Sequence, residues 1–281
     1  MNSYATFFSQ LYHFLIYKVK KPKTQLENGM LIISVDVDVG NKKLGELNKG
    51  RRDLDISSRL SEYLVGKIEE QALPMFINLF NNFEVPVTFA IRGQLMEVDD
   101  LVLNFLRNSS IKHDIGAHGY YHRSFTSLTR GDAKKELKKI RLAMEKFDIT
   151  PRSFVFPKNR VAHLDLLEEQ GYKCYRGARP YRMHVEKRGS LFNICPSLYI
   201  NRDSSPHLVK RMLNIAISEK LPFHIWFHLW NFGQEIETMR RSINNTLIPL
   251  FDYAKRKKRS GVLTFETMLS AAVEVEKHLP Q

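Results

Sequence analysis

Cysteine is almost missing from this chain. Of its 281 residues only Cys174 and Cys195 are cysteines, and two thiols without a framework spacing leave nothing that demands an oxidising compartment. Acidic residues are also short, 30 against 43 lysines and arginines, which gives a formal charge of +13. That imbalance suits anionic partners, whether nucleic acid, acidic glycans, phosphorylated lipid carriers or an anionic membrane surface, and does not choose among them. No run reaches the roughly 20 apolar residues that cross a bilayer. A linker rich in Gly, Pro or Ser, an internal repeat and a low-complexity tract are all lacking, so a single domain is expected. What is present is a 43% hydrophobic content, enough for a sizeable core.

Residues 1–25 stand apart as an N-terminal amphipathic segment ahead of a domain over 26–281. The stretch YATFFSQLYHFLIYKV from Tyr4 is followed by KKPK. It is broken by Ser9, Gln10 and His13 and has neither a basic leading region nor a small-residue cleavage site, so it is not read as a signal peptide. Two readings stay open. It is a helix packed on the domain, or an interfacial helix with Lys18, Lys20, Lys21 and Lys23 near lipid headgroups, giving peripheral membrane contact. The expected location is cytoplasmic, or peripheral on the inner face of the membrane.

Short apolar runs then alternate with amphipathic stretches, the pattern of a parallel sheet with crossover helices. Strands are expected at MLIISVDVD from Met30, VPVTFAI from Val85, just ahead of His118, at SFVFP, at PFHIWFHLW and at VLTF. Helices are expected over 74–83, from Val102, over 129–147, from Leu164 to Gly171, over 206–219, over 235–258 and at the end. The span 173–200 reads as irregular strands and loops. About seven units result, and the predicted fold is a distorted β/α barrel of parallel strands. In such barrels the chemistry gathers at the C-terminal ends of the strands.

The first strand ends in Asp36 and Asp38, two apart and therefore on one side. Two buried carboxylates repel unless a cation sits with them, and no basic residue follows until Lys42. In DIGAHGYYH, His118 and His122 stand four apart, a spacing that on a helix would put both rings on one face. Because the preceding IKHDIG reads as a strand, the pair is expected on the same barrel end as Asp38. One carboxylate with two imidazoles suits a divalent ion. Asp36 is then left to act as general base. PFHIWFHLW adds His224, Trp226 and His228 at alternate positions, and a histidine there could protonate a leaving amine.

These residues resemble the polysaccharide deacetylases, carbohydrate esterase family four with its nodulation-type de-N-acetylase domain. The resemblance runs from Met30 to about Leu269. SVDVDVG is similar to the first motif, which implies Asp36 as base and Asp38 as metal ligand. VPVTFAIRG is similar to the strand that follows. HDIGAHGYYH resembles the second motif and implies His118 and His122 as metal ligands with His113 in support. FHIWFHLWNFG resembles the last motif and implies His228 as acid, with His224 in reserve as acid or as a partner behind the site. FVFPKNR departs from the third motif: Pro157 is kept, Lys158 replaces an aromatic and Arg160 is displaced, though the Lys158 N–H could still hold an oxyanion. No match is found for the aspartate and tryptophan motif that orients the acid.

The resemblance implies a metal-dependent hydrolase that removes the acetyl group from an N-acetylhexosamine in a glycan or lipid-linked precursor. One divalent ion is expected, zinc before cobalt, manganese or nickel. Arg92, Lys158, Arg160 and Trp226 are the candidates for holding substrate. Two alternatives stand beside it: a metal-independent cyclic amide hydrolase of the same superfamily, and a non-catalytic protein that binds an anionic ligand. KRKKR from Lys255 is the best support for the last, but cations at a helix C-terminus are expected from the macrodipole. Specific nucleic-acid binding is not expected, since aromatic and basic residues do not interleave.

Overall fold

The computed structural model describes residues 26–38, 42–49, 62–65, 67–98, 100–177 and 182–279. The expected N-terminal segment lies outside them.

The first strand, β1 (Gly29–Val37), organises everything else. All nine of its residues are buried, which a run of Leu, Ile and Val tolerates because parallel strands are covered on both faces. Its alternation separates two environments. Leu31, Ile33, Val35 and Val37 join the large core beneath the helices. Met30 and Ile32 join a second cluster with Ala90, Val155, Cys174, Phe192 and Ile194, on the inside of the curl. Ser34 and Asp36, of the same parity, continue that inner face upward.

Around β1 stand β2 (Thr88–Ile91), β3 (Asp114–Ala117), β4 (Ser153–Val155), β5 (Cys174–Arg176), β6 (Val185–Arg188), β7 (Leu191–Ile194), β8 (Leu198–Tyr199), β9 (Pro222–His228) and β10 (Leu263–Glu266). Their order is β6-β7-β5-β4-β3-β2-β1-β9-β8, with β10 paired to β1. All described pairings are parallel except the β6–β7 hairpin. The sheet curls into a half-barrel, a single α/β domain, as the alternation of elements implied. The span 173–200, expected to hold irregular strands and loops, has four short strands among its described residues.

Besides short helices at Lys42–Leu47, Glu62–Val65 and Leu95–Val98, the described helices are α1 (Leu73–Phe83), α2 (Leu101–Arg107), α3 (Arg130–Glu145), α4 (Leu164–Glu169), α5 (Pro206–Ser218), α6 (Ile236–Arg259) and α7 (Met268–Lys277). Side chains fix several starts. Thr129 caps α3 by accepting from the Asp132 N–H, and Ser205 caps α5 by accepting from Leu208. Each such cap is worth about 1 kcal/mol. A π-helical turn (Ile68–Ala72) leads into α1. On α3, Leu142 is 49% exposed, and the buried stripe runs through Leu137, Ile140, Ala143 and Met144. No helix among the described residues is long and apolar enough to cross a membrane.

The floor of the curl is plugged by α7, whose Met268, Ala271, Ala272 and Val275 fill the inner cluster. Polar strand residues receive its N-terminus. The Met268 N–H donates to Thr88 Oγ1 at 2.8 Å, and Asp114 accepts from the Leu269 N–H as well as from Thr88 and Ser153. A carboxyl at a helix N-terminus is well placed electrostatically, although burial still pushes Asp114 above its ordinary value.

Candidate active site

The same parity that lines the curl brings a set of polar side chains to its upper end. Asp36 lies opposite His228 in the β1–β9 register and opposite Ala90 in β1–β2. His118 follows β3 directly, and its N–H donates to Ile91 O. The two histidines are therefore not on a helix. His118 extends a strand, and His122 sits in the following loop with φ +62°.

That loop is built to hold them. Gly119 takes φ +69°, and a Cβ there would stand 3.0 Å from Pro157 Cγ, so the turn needs glycine. Glu136, buried on α3, accepts from the Tyr121 N–H at 2.8 Å and from Arg123 at 2.7 Å. His118 donates from Nδ1 to the Val155 carbonyl at 2.8 Å, which leaves its Nε2 without a proton.

Asp38, His118 and His122 are all buried, and each offers a ligand atom within 4.8 Å of the others. His118 Nε2, His122 Nδ1 and one oxygen each of Asp36 and Asp38 are buried without a hydrogen-bond partner among the described residues. Such orphaned atoms are rare in a folded interior, and here they are the atom types that ligate divalent ions. Burial, the largest influence, holds both imidazoles below their ordinary value, so they are neutral as metal ligands must be. The donor set fits such an ion.

Asp36 is paired instead with Arg176, whose Nη2 donates to Oδ2 at 2.5 Å. Burial alone would raise the Asp36 carboxyl, but the Arg176 guanidinium, with His118 and His228, holds it below its ordinary value. His228 Nε2 lies 3.3 Å from Asp38 and 3.7 Å from Asp36. Its N–H and Nδ1 both face Asn231 Oδ1, at 2.7 and 3.1 Å, so the amide fixes the ring. Burial opposes the charged ring, and the two carboxylates outweigh it and raise His228 above its ordinary value. Trp230 lies alongside, ring centroids 4.8 Å apart.

Other expected residues sit elsewhere. His113 is at the far end of β3, between Ser109 and the Val87 N–H, and serves the core rather than the site. His224 is deep in the curl, against Ser34 and the Ile194 carbonyl, and burial pushes it down to about 3; it does not reach the carboxylates, so it stands behind the site and is not an acid. Arg92, expected to face substrate, is buried, and its guanidinium lies toward the Asp38 carbonyl and Gln94. Lys158 and Arg160 are exposed and not drawn into the cluster. Trp226 forms a wall, with Arg176 stacked 4.5 Å from its ring and Tyr199 4.7 Å away.

Three contributors escaped the sequence reading. Asn231 follows His228 by three residues, within reach of a side chain turning back. Glu136 is a lone acid on an apolar stripe of α3. Arg176 shares inner-face parity with Cys174 in the three-residue β5, too short a run for alternation to be visible.

Residues 65–174 match the family model for polysaccharide deacetylase. The match takes in less than half of the chain, and over that stretch the chain is similar to the polysaccharide deacetylases. The matched stretch holds His118 and His122, while Asp36, Asp38, Arg176 and His228 lie outside it. No curated protein matches by sequence. Among solved structures, a candidate polysaccharide deacetylase from Mycobacterium smegmatis superposes with a TM-score of 0.71 at 16% identity, covering 93% of this chain and 97% of that one. A second candidate polysaccharide deacetylase, from Pseudomonas aeruginosa PAO1, gives 0.69 at 14% identity over 90% and 92%. The PuuE allantoinase gives 0.65 at 15% over 90% and 91%. At these identities the likeness is one of fold.

Proposed function

We propose that this protein is a metal-dependent de-N-acetylase acting on an N-acetylhexosamine of a glycan or lipid-linked sugar precursor. The observation that carries the reading is the convergence, at one barrel end, of three parts. They are the Asp38, His118 and His122 group, the Asp36 carboxylate held by Arg176, and the His228 ring fixed by Asn231.

A divalent ion held by Asp38, His118 and His122, zinc before cobalt, manganese or nickel, would polarise the amide carbonyl and make water a better nucleophile. Asp36, kept ionised by Arg176, takes the proton of the attacking water. His228 delivers a proton from Nε2 to the departing amine, and its raised affinity for that proton suits a general acid. The Lys158 N–H is the donor we assign to the developing oxyanion. Its left-handed turn, with φ +57° at Lys158, abuts the His118–His122 loop through Pro157 and Gly119.

A small recess supports acetyl as the acyl group. It lies beside Asp36 and Asp38, is walled by Val37, Ile68, Leu73, Leu229 and Trp230 with the buried Glu69, and offers about 10 Å³, space for little more than a methyl group. The setting we assign is cytoplasmic, or peripheral on the inner face of the membrane, on the strength of the basic charge.

The test is acetate release from N-acetylhexosaminides by protein loaded with zinc, cobalt, manganese or nickel. Release that is stopped by chelation and by Asp36→Asn supports the reading; none with any of these metals overturns it. A second reading, cyclic amide hydrolysis without metal, is favoured only by the fold likeness to the allantoinase. Turnover of a cyclic ureide in the presence of chelator would establish it.

A further inference from the structure

Below the Asp36–Arg176 pair a chain of hydrogen bonds runs down the inner face of the curl. His224 Nδ1 lies 3.2 Å from the Ile194 carbonyl, its Nε2 lies 2.8 Å from Ser34 Oγ, and Arg176 Nη1 donates to that same oxygen at 2.7 Å. Ser34, Asp36, Arg176 and His224 are each at most 3% exposed. The direction of every bond is forced. A carbonyl can only accept, so His224 carries its proton on Nδ1, and Nε2 is an acceptor. The Ser34 hydroxyl must then donate to His224, which turns its lone pairs toward Arg176. A guanidinium can only donate, so Nη1 finds its acceptor in Ser34 as Nη2 does in Asp36, while Nε is buried with no partner among the described residues.

We propose that Ser34 and His224 are positioning residues that hold Arg176 against Asp36. Neither reaches the cluster of carboxylates and imidazoles above. Arg176 has one Nη on Asp36 and the other on Ser34, with its plane over Trp226; two anchors and a stacking face fix a planar fork in orientation. Remove the lower anchor and one end of the fork is left in a dry interior without an acceptor. The guanidinium then turns to find one, and the carboxylate it holds turns with it. This assignment rests on the reading of Asp36 as the general base.

The experiment compares wild type with Ser34→Ala, His224→Leu and His224→Gln, the last keeping an acceptor near the position of Nε2. Residues behind an active site typically contribute about 10–100-fold to activity. We expect kcat of Ser34→Ala and His224→Leu to fall by about that factor with KM little changed, and His224→Gln to recover most of the loss. Nitrogen-15 spectra of arginine-labelled protein supply a readout independent of turnover. Arg176 Nη protons should be resolved in wild type and His224→Gln and averaged in Ser34→Ala. If Ser34→Ala does not fold, Ser34→Cys, with a poor acceptor in the same place, replaces it. Full kcat in the folded loss variants, or unchanged Arg176 signals, would overturn the proposal. If wild type releases no acetate from any N-acetylhexosaminide, the de-N-acetylase reading falls, and the spectra alone decide the positioning role.

Discussion

The ring of His118 is turned so that Nδ1 donates to the Val155 carbonyl, 2.8 Å away. The opposite nitrogen is thereby the free one, and carbonyl–histidine–metal is a common way of orienting a ligand. Protein purified without added metal should contain about one divalent ion per chain, and His118→Ala with His122→Ala should contain none by elemental analysis. Retention of the ion in the double variant would mean that it is bound elsewhere.

Asp36 and His228 should separate from the ligands by the same measurement. Asp36→Asn and His228→Ala are expected to keep their metal and lose acetate release by about 10²–10⁴-fold, the usual range for a general base or acid. Joint loss of metal and turnover in Asp36→Asn would instead make Asp36 a ligand.

Gly119→Ala tests the loop that spaces the two histidines. A non-glycine residue in the left-handed region costs about 1 kcal/mol or more, and the new Cβ must displace Pro157, at 3.0 Å. The expected result is a metal affinity lowered by at least about tenfold, with a modest fall in thermal midpoint. Calorimetric titration with Zn²⁺ into apoprotein checks it, and an unchanged affinity would remove the loop from the account.

Stability should fall on mild acidification. His113 is pushed down to about 4 and His224 to about 3, in both cases chiefly by burial. Both rings are neutral when folded, while in the unfolded chain they take up a proton near pH 6.5. The unfolded state binds more protons below that value, so stability is full above about pH 6.5 and drains away toward the two depressed values. Each ring contributes a slope of up to about 1.4 kcal/mol per pH unit within its window. Urea unfolding of apoprotein between about pH 7 and pH 5 measures this. His224→Gln should flatten the slope by about one proton.

The acyl recess can be probed by a one-methylene change. Ile68→Val, which costs about 0.5–1.5 kcal/mol in a core, should raise turnover of N-propionyl relative to N-acetyl substrates, measured as a ratio of kcat/KM values.

What the sequence revealed and what it hid follow from one physical rule. Alternation along a strand tells inside from outside, and β1 and β9 are long enough, at nine and seven residues, for it to be read. Asp36 and Trp226 were found that way. Parity does not tell depth. His224 and His228 share a face, yet the register sets His224 against Ile32 and His228 against Asp36, one deep in the curl on Ser34 and the other at the rim. Arg92 misled for the same reason, since a charged residue after a strand looks solvated until its burial is known. Arg176 needed the tertiary fold, because its partners Ser34 and Asp36 lie 142 and 140 residues away in sequence.

One edge of β1 is shared by two neighbours, β2 along Ser34–Val37 and β10 along Gly29–Ile32. During synthesis on the ribosome, the upper half of that edge finds its partner 54 residues later, Ser34 with Thr88, whereas the lower half waits until Leu263 and its neighbours have emerged. For most of translation the nascent chain therefore carries an exposed row of unpaired amides and the apolar side chains of Met30 and Ile32, with no plug beneath them. Such an edge is a template for wrong pairing. Chaperone contact during translation should concentrate on the first strand and end when the last helix docks.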